Sequence, residues 1–106
     1  MPIPVLFVGA ATYDAIAVVA HMPAADERTL ANAIEYSGGG PAATAAVAAK
    51  RLGLEVELIA AIGADDVGAH IRAGLAAEGI ASDLLQIEAD RSSQASVILC
   101  VADDAT

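Results

Sequence analysis

Two places along this chain carry groups that could hold a small polyhydroxylated molecule. Asp14 follows the apolar run IPVLFVGAA, which reads as a strand buried on both faces, with its C-terminal end opening toward Thr12, Tyr13 and Asp14. Open α/β sheets gather their ligands at that end of their strands. Farther on, SGGGPAATAAVAAKRLG places Gly38, Gly39 and Gly40 directly before a helix built almost wholly of alanine. Glycines can present backbone N–H groups to a ligand with no Cβ in the way, and a helix N-terminus adds donors and partial positive charge. A carboxylate can accept two hydroxyl hydrogens while loop amides address neighbouring oxygens, which together make a polyol-binding arrangement. Taken singly, each feature has a plainer reading: Asp14 as a turn or cap residue, and the glycines as a tight turn into a closely packed helix. The glycine run lacks the Gly-Lys-Ser/Thr ending of a Walker loop and the spacing of a dinucleotide fingerprint.

The elements that must position these groups follow from periodicity. DAIAVVAHMP and TLANAIEYS read as two extended segments forming a small antiparallel excursion from the main sheet. PAATAAVAAKRL predicts a helix, with Pro41 in its first turn and Lys50 and Arg51 beside its negative end, stopped by Gly53. EVELIAAIG is the next strand. DDVGAHIRAGLAAEG is a second helix, capped by Asp65 or Asp66, closed by Gly79, with Val67, Ile71 and Leu75 on its apolar face and His70, Arg72 and Glu78 on its polar side. SDLLQIEA and QASVILCVA supply two further strand-like segments. The strand-to-helix units predict parallel pairs joined by right-handed crossovers.

Composition narrows the function classes. The chain is 57% hydrophobic, ample for a core, although much of that is alanine, which buries little area. Its net charge of −9 and the lack of a Lys/Arg cluster argue against nucleic acid and against an anionic membrane surface. The N-terminal stretch has neither a basic region nor a span-length apolar segment, which makes the cytoplasm the expected location. Cys100, the sole cysteine, is expected at a buried strand position. His21 and His70 lack the neighbours of a metal site. Asp103 and Asp104 resemble the start of a hairpin turn, so the sheet is expected to continue in a longer protein.

The succession GAATYDAI, the interrupted pair of strands, SGGGPAATAAVAAKRLG and IAAIGADDVGAHIRAGLAAEGI resembles the opening part of the ribokinase or PfkB family of carbohydrate kinases, over essentially the whole chain. The resemblance implies a ribokinase-like three-layer α/β sandwich with a small β-sheet lid, residues 1–106 being its N-terminal part. Segments 16–21 and 30–36 would be lid strands, through which a homodimer could form. It implies a sugar-hydroxyl-binding role for Asp14, substrate contact at Gly39 and Gly40, and architectural roles for Gly63, Asp65 and Gly68. Thr12 flanks the aspartate as a further candidate for substrate contact, and a polar residue among Ser92, Ser93, Gln94 and Ser96 would approach the sugar. Ala43 stands where the family commonly has a substrate-contacting Asn and supplies neither donor nor acceptor. Gly40 lacks the ammonium that ribokinase carries at this site, which is expected to leave room near the substrate. Arg28, between the lid strands, is expected to be a solvated turn residue.

The implied activity is ATP- and Mg2+-dependent phosphorylation of a sugar hydroxyl. The catalytic aspartate, the anion hole and most ATP contacts would lie outside these residues, so this stretch alone is expected to be inactive and to bind neither cofactor well. A fructokinase-like or ribokinase-like substrate, a modified ketose and a nucleoside all fit the resemblance. A non-catalytic sugar-binding or regulatory domain, or an architectural piece without ligand, are readings of a different class.

Overall fold

A computed structural model describes residues 3–102, so the Asp103-Asp104 turn lies outside the described residues. The elements run in the order β1 Val5–Val8, β2 Thr12–Val19, β3 Ala33–Gly39, α1 Pro41–Arg51, β4 Val56–Ile59, β5 Ala61–Gly63, α2 Asp66–Ala77, β6 Gln86–Glu88 and β7 Ala95–Val101. β1 pairs with β4 in parallel, and β5 pairs with β6 in parallel. β4 and β5 are separated only by Ala60, whose carbonyl accepts from Gln86 N–H at 2.8 Å, so the two parallel pairs follow one another along a single run of chain and together make up the main sheet.

Both helices pack on one side of that sheet. Ala42, Ala43 and Ala46 of α1, Leu58 and Ile62 of the strands, and Ile71 and Leu75 of α2 belong to a single buried cluster. Alanine earns its place in α1 by proximity: a Cβ on Gly9, just past β1, would already stand 3.0 Å from the Ala42 methyl. Helix and strand end are therefore close enough that larger side chains would push them apart. In β1, Phe7 faces the helices, whereas Leu6 and Val8 on the opposite face are 51% and 68% exposed. This corrects the expectation of a strand buried on both faces, because the described residues cover only one side of the sheet.

The second sheet has the order β3-β2-β7. β2 and β3 form the expected antiparallel pair, with Asp14 opposite Ser37 and Tyr13 opposite Gly38. The strands occupy Thr12–Val19 and Ala33–Gly39, displaced from segments 16–21 and 30–36. Pairing begins beside the main sheet, at Thr12 opposite Gly39, and ends before the Pro23-containing turn, which carries Asp26 at a φ of 62°. β7 joins β2 in parallel, with Ser96 beside Asp14, and Cys100 on this strand is exposed rather than buried. β7 has no strand partner on its outer side among the described residues, which is why an apolar sequence did not imply burial. SDLLQIEA contributes only the three residues of β6 as strand.

Candidate functional site

Asp14 sits in the second sheet near its junction with the first. Its Oδ1 accepts from Thr12 Oγ1 at 3.1 Å on its own strand and from Ser96 Oγ at 2.8 Å on β7. Side chains alternate along a strand, so Thr12, Asp14 and Ser96 share one face while Tyr13 points to the other. Two hydroxyls fix one carboxylate oxygen, and Oδ2 accepts no hydrogen bond from the described residues. Such a carboxylate is oriented yet still has lone pairs for a hydroxyl donor.

The glycines take a different part from the expected loop. Gly38 and Gly39 are the end of β3, paired with Tyr13 and Thr12. A Cβ on Gly39 would collide with Asp14 Oδ2 and come within 2.9 Å of Thr12 Oγ1. Gly39 thus gives the carboxylate its space. Gly40 is the N-cap residue of α1 with a φ of 94°, and a Cβ there would meet the Ala10 carbonyl oxygen at 2.5 Å. Its missing side chain relieves the backbone of Ala10 and Ala11. The first turn of α1 also offers fewer donors than expected, since Pro41 has no N–H and Ala43 N–H donates to Ala10 O at 3.3 Å.

Ala43 is buried at 6% exposure in the wall of a cavity of about 610 Å³ bounded by α1, α2 and the second sheet. At the top of this cavity the Tyr13 ring lies between Tyr36 and His70, with centroid separations of 5.9 and 5.0 Å and planes within 9°. At its foot Arg51 Nε donates to Glu78 Oε1 at 2.8 Å, joining the ends of the two helices. That guanidinium holds the Glu78 carboxyl below the usual range, and Arg51 is itself raised by the same hydrogen bond. Sequence reading placed Arg51 in the last turn of its helix and Glu78 on the polar side of the other, because nothing in a separation of 27 residues signals a contact.

Asp65 is the N-cap of α2, accepting from Gly68 N–H at 2.7 Å through Oδ1 and from Ser93 N–H at 2.9 Å through Oδ2. Ser93 Oγ also donates to Asp65 Oδ1 at 2.6 Å, and this bond, followed by the backbone donors, lowers the Asp65 carboxyl from its ordinary value. The Asp65 carboxylate therefore ties α2 to the approach of β7. Among Ser92, Ser93, Gln94 and Ser96, the structure brings Ser96 to Asp14 and Ser93 to Asp65. Arg28 is exposed in the turn between β2 and β3. No group of three or more His, Cys, Asp or Glu side chains among the described residues could share a metal ion.

A parallel sheet with helices packed on it, and a small second sheet carrying a hydroxyl-oriented carboxylate, define an α/β protein of the ribokinase-like class. The pattern of the pfkB family of carbohydrate kinases matches residues 4–106, and the chain belongs to that family. Over 98 residues it is 30% identical to the ribokinase of Bacillus subtilis (strain 168), covering 92% of this chain and 33% of that protein. It is equally 30% identical to a nucleoside kinase of Methanothermobacter thermautotrophicus, covering 92% of this chain and 32% of the relative. The crystal structure of ribokinase from Cryptococcus neoformans var. grubii serotype A in complex with ADP superposes with a TM-score of 0.76 at 30% identity, over 94% of this chain and 31% of that one. The chain thus spans about a third of the length of the curated relatives it matches.

Proposed function

We propose that the whole protein transfers the ATP γ-phosphoryl group to a hydroxyl of a sugar or sugar-like molecule in the cytoplasm. Asp14 would hold the substrate by accepting from its hydroxyls. The observation that carries this reading is the Asp14 carboxylate itself, fixed at Oδ1 by Thr12 and Ser96 while Oδ2 stands free over the side-chain-less Gly39. Family membership supports the reaction class, and the relative solved with ADP supports the nucleotide.

In this reading Asp14 orients the acceptor hydroxyl, Gly39 keeps the carboxylate accessible, and Gly40 sets the backbone path from β3 into α1. Thr12 acts through Asp14. Ala43 presents only a methyl group, so recognition of the remaining hydroxyls falls to other residues. ATP with Mg2+ would supply the phosphoryl group and neutralise its developing charge. The described residues contain no acidic cluster suited to the ion. The second sheet would act as a lid, and its exposed Ile34 and Val97 would contribute to the surface for a homodimer.

The relatives from Bacillus subtilis and Methanothermobacter thermautotrophicus are a ribokinase and a nucleoside kinase, and their named substrates share a ribosyl group, so a pentose is the first substrate to test. The experiment is an ADP-release assay on the full-length protein with ribose, fructose and nucleosides. Turnover with a sugar or nucleoside whose KM rises in Asp14→Ala supports the reading. Binding of a sugar without ATP turnover would instead support a non-catalytic sugar-binding domain.

A further inference from the structure

The reverse side of the strand that carries Asp14 is held by an aromatic column. Tyr13 immediately precedes Asp14 and points to the opposite face of β2. Its ring stacks on Tyr36 of β3 at 5.9 Å and on His70 of α2 at 5.0 Å, both nearly parallel, and it packs against the buried cluster shared by the two helices. α2 is in turn fixed to the main sheet through Ile71, which is 4% exposed and lies one residue beyond the exposed His70. The column therefore runs from the second sheet onto a helix anchored in the core. Gly38 stands opposite Tyr13 on β3, so no side chain there competes for the ring's position.

We infer that His70 is a positioning residue for substrate binding: through its stack on Tyr13 it sets the angle of β2 against α2 and so the placement of the Asp14 carboxylate. The inference rests on the kinase reading for its effect on substrate, but not for its effect on the strand. β2 joins the main sheet through the short Gly9–Ala11 connection and β3 joins α1 at Gly39–Gly40, so any hinge of the second sheet against the helices turns about these two junctions. A parallel ring stack resists that hinge by surface contact and needs no particular charge on the imidazole. An aromatic replacement should therefore preserve the function, whereas a small one should not.

The test uses the full-length protein with His70→Ala, His70→Phe and, as a second route to the same contact, Tyr13→Leu. Two readings are taken: kcat and KM for the phosphorylated substrate, and hydrogen exchange of the Thr12–Val19 amides. The expected result is a KM about three- to tenfold higher in His70→Ala, with a smaller fall in kcat, faster exchange in β2, and recovery of both in His70→Phe. Tyr13→Leu should reproduce the loss, which keeps the test readable if His70→Ala fails to fold. Wild-type KM and exchange in His70→Ala, or an equal loss in His70→Phe, overturns the inference. If the parent protein phosphorylates nothing, the kinase reading fails and the exchange measurement alone decides whether the column holds the strand.

Discussion

At the scale of single residues, the site is a carboxylate with one oxygen committed and one free. A hydrogen bond to a charged partner contributes about 1.5–3 kcal/mol, so Asp14→Ala in the full-length enzyme is expected to raise the KM for its sugar about tenfold or more. Steady-state kinetics would show it, and an unchanged KM would remove Asp14 from the substrate. Gly39→Ala should approach the same loss, because its methyl group would occupy the space of Asp14 Oδ2. Gly40→Ala is a different kind of change. It puts a side chain at a φ of 94° and against the Ala10 carbonyl, and should cost about 1–3 kcal/mol of stability, read as a lower denaturation midpoint. Asp14 was legible in the sequence because it follows a strand end. Its partner Ser96 became identifiable only when the register of β7 on β2 was fixed, since a slip of one residue would turn Ser96 to the other face.

Among the elements, α1 and α2 were readable from Pro41, the basic last turn, the terminal glycines and the spacing of Ile71 and Leu75. Their coupling was not. Asp65 both caps α2 and receives the Ser93 N–H and hydroxyl from the segment entering β7. Its carboxyl is lowered in the folded state, chiefly by the Ser93 hydroxyl, so the ionised form favours folding. That stabilisation is complete above the ordinary aspartate value of 3.8 and is lost as pH falls through the lower folded-state value. Asp65→Ala should therefore destabilise the protein near neutral pH, with the difference from the parent shrinking in acid, as chemical denaturation at several pH values would show. Ser93→Ala should weaken the same pH dependence, as the hydroxyl is its largest cause. Glu78→Gln, on an ion pair open to solvent, should change stability little.

On the scale of the whole molecule, these residues form an open shape. The radius of gyration is 16.3 Å, against about 13 Å for a compact domain of about 100 residues. Leu6, Val8 and Val97 are among the apolar side chains left in solvent. The 106-residue chain produced by itself is therefore expected to self-associate and to bind a hydrophobic dye, and to show no ATP-dependent phosphorylation of ribose or fructose. Size-exclusion chromatography, dye fluorescence and an ADP-release assay check each part. A compact monomer with a dry surface would contradict the exposure of the sheet faces. No helix among the described residues is long and apolar enough to cross a membrane.

The sequence by itself determined the α/β class, both helices with their ends, the parallel strand pairs, the antiparallel excursion and the position of Asp14. These features depend on local signals such as apolar period, helix caps and turn residues. Tertiary structure alone decided that β7 would extend the second sheet, that the missing side chain of Gly39 would leave room for the Asp14 carboxylate, and that Tyr13 would stack on both Tyr36 and His70. It also decided which apolar strands stayed exposed. Each of these depends on which distant segments meet and on which face of a strand they meet, and the local signals of a single sequence do not specify that.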